Sequence, residues 1–122
     1  MTKIILIADD EEEVRKLIAA TLEDEEYEIH QANGGTEAVN IANKIKPDLV
    51  ILDIMMPGKT GYEVCEALKQ NPETNNAYIL FLSARGSGVS KSTGEARGGD
   101  EFMTKPFEPR DLLDKVKKIL SH

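Results

Sequence analysis

The 122-residue sequence predicts an α/β fold, a parallel β-sheet with helices on both faces. Three observations carry that expectation. Short runs rich in Ile, Val and Leu, at Ile4 to Ile7, Leu49 to Leu52 and Ile79 to Leu82, lack the apolar–polar alternation of half-exposed strands and suit strands buried on both faces. The stretches between them carry apolar residues at helical spacing. The two patterns then alternate along the chain without an internal repeat or a linker-like tract, so a single domain over 1–122 accounts for the sequence.

Each element has its own signal. Ile4 to Ile7 is the first strand. The acidic stretch from Asp9 to Glu13 follows it, where a helix dipole favours negative charge, and Val14, Leu17, Ile18 and Leu22 form the first helical stripe. Tyr27 to His30 is a weaker strand. Ala38, Ile41, Ala42 and Ile45 form a second helix that Pro47 ends. The third strand, Leu49 to Leu52, runs into Asp53 before Pro57 and Gly58 break the chain. Tyr62, Cys65 and Leu68 mark a third helix. Cys65 is the lone cysteine, has no partner for an internal disulfide, and reads as a half-buried packing thiol. After the fourth strand, Ile79 to Leu82, the segment from Arg85 to Gly99 is crowded with glycine and serine, and only Val89 and Ala96 can anchor it. Glycine costs a helix interior about 1 kcal/mol against alanine, so the fourth helix is expected to be short, frayed or mobile. Phe102 to Thr104 is the fifth strand. Leu112, Leu113, Val116, Ile119 and Leu120 form the last helix, with Pro109 placed for its first turn.

Composition removes several classes of function. Fifteen basic and 22 acidic side chains leave a net charge of −7, which argues against direct binding to nucleic acid or to anionic membrane. No apolar stretch approaches the roughly 20 residues that span a bilayer. The N-terminal stretch, MTKIILIADD, closes its apolar run on two acids and does not resemble a signal peptide. A cytoplasmic location is the expectation that follows.

In open α/β sheets, ligands bind beyond the carboxyl ends of the strands. Those ends here bring Asp9 and Asp10, then Asp53, then Ser83 and Ala84, then Lys105 and Pro106. A parallel sheet gathers all of them at one edge. Two like charges about 4 Å apart repel by roughly 4 kcal/mol at a surface-like dielectric. Three carboxylates therefore require either that one take up a proton or that a hard dication sit among them. Oxygen ligands point to Mg²⁺, with Mn²⁺ as a possible substitute. A carboxylate beside such an ion and a lysine can attack a phosphoryl group and become an aspartyl phosphate. Lys105 would neutralise the phosphoryl oxygens, and the Ser83 hydroxyl and the backbone N–H groups after Asp53 and Ser83 could donate to them.

The stretches ILIADDEEEVRKLI, PDLVILDIMMPGKTGYEV, LFLSARG and DEFMTKPF resemble the response-regulator receiver domain over essentially the full chain. That resemblance implies a flavodoxin-like five-stranded sheet in the order 2-1-3-4-5. It implies Asp53 as phosphoacceptor from a histidine kinase or histidine phosphotransfer protein, with a downstream target protein reading the result. Asp10, Asp53 and the backbone oxygen of Met55 would ligate the metal, and Asp9 would act mostly through water. Met55, Ala84 and Lys105 would bind the phosphoryl group, and the peptide before Pro106 would be cis. Ser83 and Phe102 would be the switch residues, and Met55 and Arg85 would tune loss of phosphate. Such a chain is a phosphoacceptor that assists its own phosphorylation and dephosphorylation rather than an enzyme acting on other substrates. Ser92 and Glu95 stand in the fourth-helix segment where receiver domains usually carry leucines, and Phe102 lacks the hydroxyl of the tyrosine often found at its place. Two other readings compete: a phosphate-independent interaction module, and a hydrolase working through an aspartyl phosphate. The hydrolase commonly needs a second acid two residues after the nucleophile, where this chain has Met55.

Overall fold

The computed structural model describes residues 2–84 and 98–121. In order, its elements are β1 (Lys3–Ala8), α1 (Glu12–Leu22), β2 (Tyr27–Ala32), α2 (Gly35–Ile45), β3 (Leu49–Asp53), α3 (Gly61–Gln70), β4 (Tyr78–Ala84), β5 (Glu101–Lys105) and a C-terminal helix (Pro109–Leu120). All strand pairings are parallel, and the sheet order is β2-β1-β3-β4-β5, as the resemblance implied. The short or mobile fourth helix expected between Arg85 and Gly99, with Arg85, Ser92 and Glu95, lies outside the described residues up to position 97.

Burial follows position in the sheet. Every residue of β3 is buried, and β1 and β4 are buried over most of their length, whereas the edge strands β2 and β5 are mostly half-buried. Side chains alternate across each central strand, so two cores form. Leu6, Val50, Leu52, Ile79 and Phe81 pack with α2 and α3 on one face. Ile5, Ile7, Leu49, Ile51, Leu80 and Leu82 pack with α1 and the C-terminal helix on the other. Each fully buried aliphatic side chain contributes about 1.5–3 kcal/mol, which is why strands apolar on both faces go to the centre.

Two expectations change. Leu17 does not join the core: Ile18 and Leu22, four residues apart, take the buried face of α1, and Leu17 stands one position off it at 44% exposure. Cys65 is fully buried rather than half-buried. The chain at Gly98 passes over it, close enough that an added Cβ would stand 3.5 Å from its Sγ.

The loop after β3 is tightly anchored. Gly61 opens α3 directly against the strand end, where a Cβ would lie 2.5 Å from the Asp53 carbonyl oxygen, and its N–H donates to Ile54 O at 2.8 Å. Thr60 and Glu63 close a reciprocal capping box at that helix start. Asp53 is thereby held between a buried strand and a fixed helix terminus.

Candidate functional site

Asp53 is the last residue of β3 and is almost fully buried, at 4% exposure. Its Oδ1 accepts from the Met55 N–H at 3.2 Å, and its Oδ2 lies 3.5 Å from Lys105 Nζ. Asp9, just past β1, is completely buried. Its Oδ2 accepts from Lys105 Nζ at 3.0 Å, its Oδ1 from the Glu11 N–H at 2.9 Å, and its backbone oxygen from Arg15 Nη1 at 2.7 Å. Asp10 is exposed beside them, and Asp9, Asp10 and Asp53 each offer a carboxylate oxygen within 4.8 Å of the others.

The register delivers the remaining groups to the same rim. Ser83 pairs with Thr104, and Ala84 with Lys105, at the carboxyl ends of β4 and β5. Ser83 is buried, with its Oγ 3.4 Å from Ala84 O, while Ala84 is exposed. Lys105 leads into a cis peptide before Pro106. The Met55 side chain is 60% exposed, so only its backbone faces Asp53. Phe102 lies lower on β5, half-buried against the core that contains Phe81.

The electrostatics register the crowding. Burial, reinforced by the charge on Asp9, pushes the Asp53 carboxyl up from an ordinary 3.8 to about 7, although Lys105 and the Met55 N–H pull the other way. Burial works against the Lys105 ammonium, but hydrogen bonding to Asp9 and the charges of Asp53 and Asp9 outweigh it and raise its pKa. One ammonium cannot balance the three carboxylates it faces. A hard dication on oxygen ligands would, so the donor set fits Mg²⁺ or Mn²⁺.

Sequence reasoning placed Asp9, Asp10, Asp53, Ser83, Ala84 and Lys105 at one rim, and they converge there. It missed two participants. Glu11 Oε1 pairs with Lys105 Nζ at 3.2 Å, and Arg15 ties down the Asp9 main chain. The signal for Glu11 was hidden in a run of acids that reads as helix-dipole compensation. Arg15 lies six residues from its partner and has no motif.

A model of the response regulator receiver domain matches residues 5–117 of this chain. Over 120 residues the chain is 42% identical to the alkaline phosphatase synthesis transcriptional regulatory protein PhoP of Bacillus subtilis, a match that covers 98% of this chain and 49% of that protein. Over 118 residues it is 40% identical to the phosphate regulon transcriptional regulatory protein PhoB of Pseudomonas aeruginosa, covering 97% and 52%. The chain thus spans about half the length of these curated relatives. Among solved structures, the chemotaxis response regulator CheY4 of Vibrio cholerae superposes with a TM-score of 0.89 at 32% identity, over 98% of this chain and all of that one. The chain belongs to the response-regulator receiver domain family.

Proposed function

We propose that this receiver domain is the phosphoacceptor of a two-component or phosphorelay system, modified on Asp53. The observation that carries the reading is the convergence of the Asp9, Asp10 and Asp53 carboxylates on one point, with the Lys105 ammonium 3.5 Å from Asp53. The donor is a phosphohistidine on a histidine kinase or histidine phosphotransfer protein. Asp10, Asp53 and the Met55 carbonyl oxygen would hold Mg²⁺, or Mn²⁺ in its place, and Asp9 would support it through water. Bound there, the ion supplies positive charge to the carboxylates and to the phosphoryl oxygens.

The chain's own groups do the rest. Deprotonated Asp53 attacks phosphorus, an O–P bond forms, and the donor P–N bond breaks with its electron pair left on the imidazole nitrogen. The Met55 N–H holds the Asp53 carboxylate in orientation, and burial excludes competing water. Lys105 pairs with one phosphoryl oxygen, and the Ala84 N–H and the Ser83 hydroxyl donate to others. Drawing Ser83 toward the phosphate frees space for Phe102 and biases a pre-existing equilibrium of the partner-binding face. The chain turns over no other substrate, and Met55 offers no second acid for a hydrolase.

The relatives named for transcription carry a further half beyond the part matched here, and a downstream protein or domain of that kind is the natural reader of the signal. Output at transcription is also consistent with a cytoplasmic chain, and no described helix is long and apolar enough to cross a membrane. Incubation with acetyl phosphate and Mg²⁺ should add one phosphate to the intact mass, and Asp53→Asn should abolish the addition. An unchanged mass under conditions that preserve acyl phosphates would falsify the reading.

A further inference from the structure

Lys105 is the one cation within 4 Å of the Asp53 carboxylate among the described residues, and it is already committed. Its Nζ lies 3.0 Å from Asp9, 3.2 Å from Glu11 and 3.5 Å from Asp53. Two of these contacts are hydrogen bonds, to Asp9 and Glu11, and Asp53 stands at ion-pair distance only. For Lys105 to close on a phosphoryl oxygen at Asp53, it must move against the pull of Asp9 and Glu11.

The three differ in how freely they can yield. Asp53 is the attachment point itself. Asp9 is fully buried and fixed from two further directions, by the Glu11 N–H on its second oxygen and by Arg15 on its main chain. The Glu11 side chain is 62% exposed. Glu11 occupies the N-cap position of α1 but makes no side-chain capping bond, so its carboxylate is not engaged in closing the helix. It points at Lys105 across the mouth of a cavity of about 430 Å³ bordered also by Val14, Leu17, Ala84 and Phe107.

We infer that Glu11 is a positioning residue that holds the Lys105 ammonium at the mouth of the site, and that breaking this ion pair is a step on the way to phosphorylation. Glu11 therefore slows uptake of phosphate. It acts in two ways: it occupies the lysine, and it places a negative charge beside the path of an anionic donor. The inference rests on the phosphoacceptor reading of Asp53 and adds a residue that sets its rate.

The test is the rate of phosphate addition to the whole chain from phosphoramidate with saturating Mg²⁺, followed by intact mass. Glu11→Gln should label about three- to fivefold faster than the unmodified chain, the factor expected when an exposed ion pair no longer competes. Glu11→Asp keeps the charge but shortens the reach by one methylene, and it should also accelerate. Glu12→Gln, which removes an equal charge from a residue paired to Lys16, should leave the rate within about 1.5-fold. The inference is overturned if a Glu11→Gln protein with normal thermal unfolding labels no faster than the unmodified chain. It is equally overturned if Glu11→Asp matches the unmodified chain, or if Glu12→Gln accelerates as much as Glu11→Gln. Should Glu11→Gln not fold, the Glu11→Asp comparison decides alone. Labelling of the unmodified chain with no gain in the variants sinks this inference only, whereas an unmodified chain that takes no phosphate sinks the Asp53 reading and this inference together.

Discussion

The two rims of the sheet use the same residue type for opposite ends. At the amino rim, Asp48 Oδ2 accepts from the Ile4 N–H near the start of β1, at 2.8 Å, and Asp100 Oδ2 accepts from the Ile79 N–H near the start of β4, also at 2.8 Å. The Asp100 carboxylate also takes Lys69 Nζ at 3.1 Å, and the backbone N–H of each aspartate returns a bond to the same strand residue. Each acid stands alone with its donors. At the carboxyl rim, three aspartates crowd within 4.8 Å, and two of them, Asp9 and Asp53, share Lys105 with Glu11. At the amino rim each carboxylate has a strand N–H to itself, whereas at the carboxyl rim burial and a neighbouring acid work against the charge, so a carboxylate stabilises the first rim and is destabilised at the second. Stability is built at one edge, and a crowded acidic site that could hold a cation is left at the other.

Mutations at the two rims should therefore separate stability from chemistry. The largest stability change belongs to the amino rim: Asp100→Ala removes the acceptor of a strand N–H and of Lys69, and should cost about 2 kcal/mol in urea unfolding while phosphate uptake at Asp53 survives. Equal stability would show that the amino-rim aspartates are not structural caps. Next, Asp53→Asn should raise the stability of the metal-free protein by about 1 kcal/mol, because it relieves burial of a charge beside Asp9. A loss there of the size expected at Asp100 would erase the contrast.

The pH response sharpens the same comparison. Folding raises the Asp53 pKa from 3.8 to about 7, so between those values the folded protein keeps a proton that the unfolded chain has released. Its contribution to the metal-free protein is complete below pH 3.8 and is lost as pH rises to about 7. Unfolding followed in chelator should show this decline, and Asp53→Asn should flatten it. Addition of Mg²⁺ at pH 8 should then restore stability in proportion to the logarithm of its concentration, with a smaller gain in the Asp53→Asn protein. A gain unaffected by that substitution would place the ion elsewhere.

The legible part of the site was its strand-end chemistry. Asp9, Asp10, Asp53, Ser83 and Lys105 each follow an apolar run, and parallel strands must deliver such residues to one edge. The illegible part was pairing between side chains far apart in sequence. Nothing in an acidic run distinguishes Glu11, which reaches Lys105, from Glu12, which pairs with Lys16 one helical turn away. Asp48 and Asp100 look like loop residues until the sheet shows whose N–H they meet. Leu17 and Cys65 went astray because a helical stripe states a face but not its width, nor what lies over it.

By itself, then, the order of apolar runs and acids determined a parallel α/β sheet and the edge at which its carboxylates meet, because periodicity and strand direction are local properties of a chain. Only the tertiary structure decided which acid Lys105 would touch, how far Asp53 would be driven from its ordinary ionisation, and which aspartates serve as caps. Those outcomes depend on distances and burial between residues as many as 96 positions apart, and no local pattern encodes them.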